Sequence, residues 1–272
     1  MRPLPGWIFA LAALGIALSA QAAEDATSGD ALSGRDIYDK VLDNRFDRSR
    51  QDLRLISGDR ANNAQEARMT VLWKSWRDVQ GEPRNGVLSK TVVRYTHPFD
   101  LRFSAYLVIN NQDRGDDQFV YLPSRRRIRR VNLRGEPVLG SDFSFEDVVP
   151  REFEDAEYVR LPDAVQDGIR CYVVVITPRA AANSEYSKLQ SWVEPARFVV
   201  LRTQYWDRDD ILVKELIAPA AEVREFSGIY IPMHTEMKNL VNESWSKLYV
   251  DSFVPNPEIA DAEFDPRRLE SH

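Results

Sequence analysis

Short runs of strand-forming residues, separated by turn-forming residues, make up most of this chain. Residues 69–76, 88–95 and 101–109 are rich in β-branched and aromatic side chains, and clusters of Gly, Pro, Asn and Asp divide them. The second half has further runs of the same character, at 171–177, 190–193, 198–206, 211–217, 222–226, 229–237 and 244–253. No regular alternation of strands with long helices is present, so the pattern predicts a large antiparallel sheet.

Two segments predict helices. Ser33 followed by Asp36 has the spacing of a capping box, and the apolar side chains after it fall on one helical face. Ser144 and Asp147 have the same spacing and predict a second, short helix. A sheet of this many strands must curl, and the first helix would fill its concave side. Periodicity alone leaves an open half-barrel, a closed barrel and a sandwich as alternatives.

The N-terminus predicts export. Arg2 precedes an apolar run at 7–18, and small residues continue to Ala23. The run is too short to span a bilayer comfortably, so we predict a signal peptide at 1–23. A flexible leader at 24–33 and a single domain at 34–272 follow. Cys171 is the only cysteine, which excludes a lipid anchor on a cysteine at the cleavage site and an internal disulfide.

Charge and composition exclude several functions. The formal net charge of −6 disfavours nucleic-acid binding. The three histidines lack metal spacing, and no nucleophile or phosphate-loop motif is present. We therefore predict no catalytic residues, no metal, no cofactor and no enzymatic activity. No second apolar run approaches transmembrane length, so the processed chain should be soluble in the periplasm of a Gram-negative bacterium.

An arginine-rich segment at 118–149 is the most distinctive part of the sequence. An apolar run at 119–122 is followed by five arginines within six residues, and an acidic GSDFSFED segment occupies 140–147. The arginines can form a docking patch for an anionic ligand or a partner protein, or they can pair with neighbouring acids. The residues concerned are Arg127, Arg129, Arg130, Asp142, Glu146 and Asp147.

The segments YLPSRRRIRRV and GSDFSFEDV resemble the periplasmic outer-membrane lipoprotein-sorting family, whose fold is that of the lipoprotein carrier LolA. The resemblance extends weakly over most of the chain. It implies a mainly β fold with a few helices, in which a large curled antiparallel sheet forms an open half-barrel covered by helices, as in LolA and LolB. It also implies a glycine where this chain has Phe103.

The resemblance further implies a carrier that binds lipid or a lipoprotein acyl chain on the concave face. An inner-membrane RND-type exporter is the implied partner. The residues expected to line the cavity are Trp73, Phe103, Val200, Trp206, Ile231 and Met233. The alternatives are a periplasmic hydrolase and a non-catalytic adaptor that docks through the arginine-rich hairpin.

Overall fold

Fifteen strands and two helices are present in the residues that the structure, a computed structural model, describes: 32–61, 63–148 and 152–270. The first six strands are β1 (Arg48–Gly58), β2 (Ala64–Ser75), β3 (Val87–His97), β4 (Ala105–Asn111), β5 (Asp117–Leu122) and β6 (Arg127–Val131). The next five are β7 (Ala156–Gln166), β8 (Ile169–Pro178), β9 (Tyr186–Glu194), β10 (Val199–Asp207) and β11 (Leu212–Ile217). The last four are β12 (Val223–Phe226), β13 (Ile229–Pro232), β14 (His234–Asn239) and β15 (Ser244–Pro255). The helices are α1 (Gly34–Asp43) and α2 (Phe145–Val148).

Thirteen of these strands form one antiparallel sheet in the order β6-β5-β4-β3-β2-β1-β15-β14-β11-β10-β9-β8-β7. The remaining two, β12 and β13, form a separate hairpin. Strands β6 and β7 are consecutive in the chain but lie at opposite edges, so the sheet does not close into a barrel. The segment between them, 132–155, must run from one edge to the other. The predicted large, open antiparallel sheet is confirmed.

The position of α2 shows that the sheet curls. The Phe145 ring lies 4.4 Å from the Tyr106 ring on β4, between ring centroids. Two residues on, Asp147 accepts a hydrogen bond of 3.1 Å from Lys214 Nζ on β11. Strands β4 and β11 are six steps apart in the sheet, which is about 29 Å in a flat sheet. One short helix can touch both only because the sheet wraps around it.

The first helix closes one side of this curl. Ser33 caps α1, and its side chain and backbone form the predicted capping box with Asp36. The buried Ile37 and Tyr38 face the sheet, and Tyr38 stacks on Tyr158 of β7 at 4.8 Å. Gly34 lies so close to β7 that a Cβ there would be 2.6 Å from the backbone N of Arg160.

The other face of the sheet is covered by the C-terminal segment. The fully buried Phe264 and Leu269 pack with Val92 and Leu107 from β3 and β4. Near β7, Cys171 belongs to a separate buried cluster, and burial raises the pKa of its thiol to about 11. Both faces of the sheet are therefore used for packing.

Three local predictions need correction or addition. The run 229–237 is not one strand, because β13 pairs with β12 whereas β14 pairs with β11 and β15 in the main sheet. The run 101–109 becomes a strand only from Ala105, after a turn at 98–104. Edge strand β7 was not predicted, since its sequence is polar and contains Pro162. The β7–β8 pairing accommodates this proline by a register shift.

The predicted signal peptide at 1–23 and most of the leader at 24–33 lie outside the described residues. The domain boundaries remain predictions.

Candidate functional site

An apolar cavity of about 290 Å³ lies between the end of α1, the hairpin β12–β13 and the inner face of the main sheet. Strands β1, β2, β3 and β15 contribute to its wall. Its apolar lining residues are Val41, Leu42, Phe46, Val71, Trp73, Val148, Ile231 and Phe253. The volume is at the lower end of the range typical of ligand pockets.

The wall opposite the sheet is held by specific bonds. Asn44, directly after α1, forms two hydrogen bonds with the backbone of Tyr230. Its Nδ2 donates to the carbonyl at 3.0 Å, and its Oδ1 accepts from the amide at 2.9 Å. Phe46 contacts Phe253 of β15 at 5.7 Å between ring centroids. The end of α1 and the small hairpin therefore form one connected cover over the apolar wall.

The lining also contains polar groups, from Arg45, Ser49, Gln51 and Thr91 and from the indole of Trp73. Trp73 and Thr91 are each nine-tenths buried, and within the described chain Trp73 Nε1 and Thr91 Oγ1 have no hydrogen-bond partner. Leaving such groups unpaired costs about 1–3 kcal/mol each. The guanidinium of Arg45 lies 5.7 Å from the Trp73 ring centroid and 3.8 Å from a carboxylate oxygen of Glu152. The cavity thus offers an apolar volume with a few polar side chains and one cation at its border, which suits an amphiphile.

A second cavity, of about 670 Å³, is larger and more polar. It lies beside the β4–β5 turn, and Arg77, Arg134, Asp116 and Glu152 are among its lining residues. Burial raises the pKa of Asp116, although the Asn111 amide donates to it at 3.2 Å. Burial likewise raises the pKa of Glu152, against the opposing effect of Arg45 and Arg77. Because Glu152 also pairs with Arg45, it connects the polar cavity with the apolar one.

Two of the six predicted lining residues meet at the apolar cavity. Trp73 of β2 and Ile231 of β13 both line it, although they are far apart in sequence. The other four do not belong to the lining among the described residues. Met233 is buried between β13 and β14, Val200 and Trp206 are half-buried on β10, and Phe103 is 43% exposed in the turn before β4.

The acidic GSDFSFED segment is anchored through its own carboxylates. Asp142 accepts hydrogen bonds from the hydroxyls of Ser244 (2.5 Å) and Ser246 (2.7 Å) on β15. Asp147 accepts from Ser144, which forms the predicted second capping box, and also from Tyr186 and Lys214. These carboxylates fasten the segment across the inner face of the sheet, so α2 holds Val148 at the cavity.

Glu146 has a similar anchoring role. It accepts hydrogen bonds from the Ser184 hydroxyl at 2.5 Å and the Glu185 amide at 2.9 Å, and it lies 3.6 Å from Arg134. Its side chain is almost fully buried. It therefore pairs with Arg134, which follows the predicted arginine run, and groups from the β8–β9 connection bind it as well.

The arginine run faces outward. Arg125 and Arg126 lie in the turn between β5 and β6, and Arg127, Arg129 and Arg130 lie on edge strand β6. Arg130 pairs with Asp117. The other four arginines are exposed and form no ion pair within residues 32–61, 63–148 and 152–270.

Among the residues that the structure describes, no group of three or more His, Cys, Asp or Glu is arranged to hold a metal ion. No helix in the same residues has both the length and the apolar character needed to cross a membrane.

A family model whose description is "Uncharacterized protein" matches residues 88–271, which is more than half of the chain. The chain belongs to this family. Solved structures extend the comparison to the fold. A DUF1329 family protein from Desulfovibrio piger is 21% identical with a TM-score of 0.80, over 87% of this chain and 97% of that one. No curated protein matches the sequence.

Two further structures connect the family with the LolA fold. A domain named for outer-membrane lipoprotein sorting, from Vibrio parahaemolyticus, is 21% identical with a TM-score of 0.78, over 87% of this chain and 98% of that one. A LolA superfamily protein from Nitrosomonas europaea is 18% identical with a TM-score of 0.67, over 86% of this chain and 98% of that one. The resemblance inferred from the two sequence segments is confirmed, and at these identities the shared property is the fold.

Sequence reasoning missed most of the apolar wall, since only two of its eight apolar residues, Trp73 and Ile231, were predicted. Phe46 and Phe253 lie at opposite ends of the chain, and Arg45 lies near the end of the predicted first helix without any distinguishing pattern. The end of an amphipathic helix was the one available signal, because residues there must contact whatever the helix covers.

Proposed function

We propose that this protein is a periplasmic carrier that binds lipid or a lipoprotein acyl chain in the apolar cavity beneath α1. The observation that carries the proposal is the cavity itself, whose wall brings together Trp73, Phe46, Phe253 and Ile231 from four separate elements or connections. The fold shared with a LolA superfamily protein and with a domain named for lipoprotein sorting supports it.

The cavity's size suits part of an acyl chain. At about 30 Å³ for a water-sized group, 290 Å³ accommodates about ten such groups. Each buried methylene contributes about 0.8 kcal/mol, so a segment of about eight methylenes contributes about 6 kcal/mol before the cost of association. The guanidinium of Arg45 would take an ester carbonyl or an anionic head group at one end of that segment.

Cargo exchange would require movement of the cover formed by α1 and the hairpin β12–β13. An inner-membrane RND-type exporter is the partner that we propose, on the family resemblance alone. The periplasm of a Gram-negative bacterium is the proposed location, since it follows from the N-terminal sequence and agrees with the name of the Vibrio domain.

The test is uptake of a fluorescent fatty acid by the purified protein, with native mass spectrometry for lipid that copurifies. Ile231→Arg places a charge in the cavity wall and should lower affinity at least about tenfold. Trp206→Arg introduces the same charge at a half-buried position outside that wall and should leave uptake unchanged. A fatty alcohol of equal length, compared with the acid, measures the contribution of Arg45.

Equal effects of the two substitutions, or a folded wild-type protein that takes up no probe and carries no lipid, would contradict the carrier proposal. Circular dichroism of both variants separates loss of binding from loss of fold.

One observation favours a hydrolase as the second candidate. Asp116 and Glu152 line the same polar cavity and both have raised pKa values, which is a common property of acid–base pairs. The structural alternative is that Glu152 is held as an ion-pair partner of Arg45 and Arg77. Release of fatty acid from a phospholipid by the purified protein would favour the hydrolase.

A further inference from the structure

We propose that one end of the main sheet, where several hairpin turns lie side by side, docks on an anionic lipid bilayer. We call this end the hairpin rim and define it by the turns 98–104, 123–126 and 240–243. The proposal does not depend on cargo binding, because the rim can contact a bilayer whatever the cavity holds.

Strand register places these turns at the same end of the sheet. Ala105, the first residue of β4, pairs with Tyr121 near the end of β5, so the β3–β4 turn and the β5–β6 turn are neighbours. Gly58, the last residue of β1, pairs with Trp245 at the start of β15, which places the β14–β15 turn beside the β1–β2 turn. Neighbouring strands are about 4.8 Å apart, so the β3–β4 and β5–β6 turns are adjacent, while the polar β1–β2 turn lies between them and the β14–β15 turn.

The rim exposes large apolar side chains. Phe99 is 87% exposed and Phe103 is 43% exposed, both in the β3–β4 turn, and Leu240 and Val241 are 45% and 65% exposed in the β14–β15 turn. Single exposed apolar residues are ordinary, but two aromatic rings on one turn, with a second apolar pair on another turn at the same end of the sheet, indicate an interaction surface.

Phe103 is held outward at an energetic cost. Its φ of +72° is in the left-handed region, which costs a residue with a side chain about 1–2 kcal/mol and which glycine adopts freely. Its amide donates to the Tyr95 carbonyl at 2.9 Å, and the guanidinium of Arg102 lies 4.7 Å from the ring centroid. The turn thus presents an aromatic ring with a cation beside it.

The β5–β6 turn adds positive charge next to these rings. Arg125, Arg126 and Arg127 are exposed and form no ion pair in the described part of the chain. A simpler explanation for basic residues on an edge strand is that they prevent edge-to-edge pairing with another sheet. That explanation suits Arg127 on β6 but not Arg125 and Arg126, which lie in the turn beyond the strand.

Apolar insertion and attraction to anionic head groups are each weak alone and give stable membrane binding together. Apolar side chains on separate turns can enter one planar interface, which suits a bilayer. The three turns carry Arg102, Arg125 and Arg126 against the exposed Asp100 and Glu243, a net charge of +1, whereas the whole chain carries −6. Attraction to an anionic membrane must therefore come from the β5–β6 turn, which contains no acid, and it would also orient the molecule.

The test is cosedimentation with vesicles of phosphatidylglycerol and phosphatidylcholine in equal parts, and with vesicles of phosphatidylcholine alone. The intact mass of the purified protein shows whether the predicted signal sequence has been removed, and it should be measured first. We expect binding to the anionic vesicles only, weakened by salt. R125Q/R126Q should lower affinity by about 25-fold, at about 5-fold per arginine, and F99S by at least about tenfold.

The chain offers matched controls. R170Q/R224Q removes the same charge from exposed arginines away from the rim, and V79S removes a 95% exposed apolar residue from the β2–β3 turn at the opposite end of the sheet. Both should bind like the wild type. The proposal is overturned if the folded wild type ignores anionic vesicles, if the controls lose as much affinity as the rim variants, or if binding requires a membrane protein in the vesicles.

Discussion

Substitution of Asp147 by alanine tests how the segment between the two sheet edges is held over the cavity. Its carboxylate accepts from the Ser144 amide (2.7 Å), the Ser144 hydroxyl (2.8 Å), the Tyr186 hydroxyl (2.9 Å) and Lys214 Nζ (3.1 Å). The Asp147 side chain is 1% exposed and that of Lys214 is 15% exposed. D147A would leave an ammonium group and several donors without their acceptor in a site with little access to water.

Removing one partner of a buried ion pair costs about 3–5 kcal/mol, because the remaining charge stays desolvated. At about 2–4 °C per kcal/mol for a domain of this size, the midpoint of thermal unfolding should fall by about 10 °C. Urea unfolding followed by circular dichroism measures the free energy directly. The matched control is D251A, which removes an exposed pair with Arg54 and should cost about 0–1 kcal/mol.

A double substitution distinguishes the loss of the ion-pair attraction from the cost of leaving the Lys214 charge buried without a partner. D147L/K214M replaces the whole pair by apolar groups and should be much less destabilising than D147A. The reasoning is refuted if D147A costs less than about 1 kcal/mol, or if the double variant is as unstable as D147A. D147A should also weaken fatty-acid uptake, since α2 carries Val148 to the cavity wall.

Two further predictions concern the polar cavity and the helix. Burial raises the pKa of Asp116, so this carboxyl stabilises the fold below its ordinary pKa of 3.8, and that stability is lost as the pH rises through the raised value. Asp116→Asn should therefore increase the free energy of unfolding at neutral pH but not below pH 3.8. Urea unfolding at the two pH values measures this. A variant that is less stable than the wild type only at neutral pH would contradict the prediction. Gly34→Ala should destabilise by about 1–3 kcal/mol, because its Cβ meets the β7 backbone at 2.6 Å. An unchanged midpoint of unfolding would contradict this prediction, because it would show that α1 can move away from β7 without loss of stability.

Local chemistry made much of the fold predictable. Both capping boxes form where Ser33 and Ser144 stand three residues before an aspartate, because a cap depends only on residues within one helical turn. Most strands follow from alternation and turn residues for the same reason. Where neighbours in space decide the outcome, prediction failed: residues 229–237 alternate like one strand, yet Met233 separates two strands that belong to different sheets.

The same division applies to the candidate site. The family resemblance led to an apolar cavity and to Trp73 and Ile231, but not to Phe46, Phe253 or Arg45, which reach the wall only when β1 pairs with β15 and α1 closes over them. The sequence by itself determined the strand-rich composition, the helix caps and a basic hairpin, but it left open whether the arginines of that hairpin are paired or exposed. Tertiary structure alone decided which carboxylate accepts from which donor and where apolar surface stays uncovered. Those contacts join residues that are up to about two hundred positions apart in the chain, and only the curled sheet brings them together.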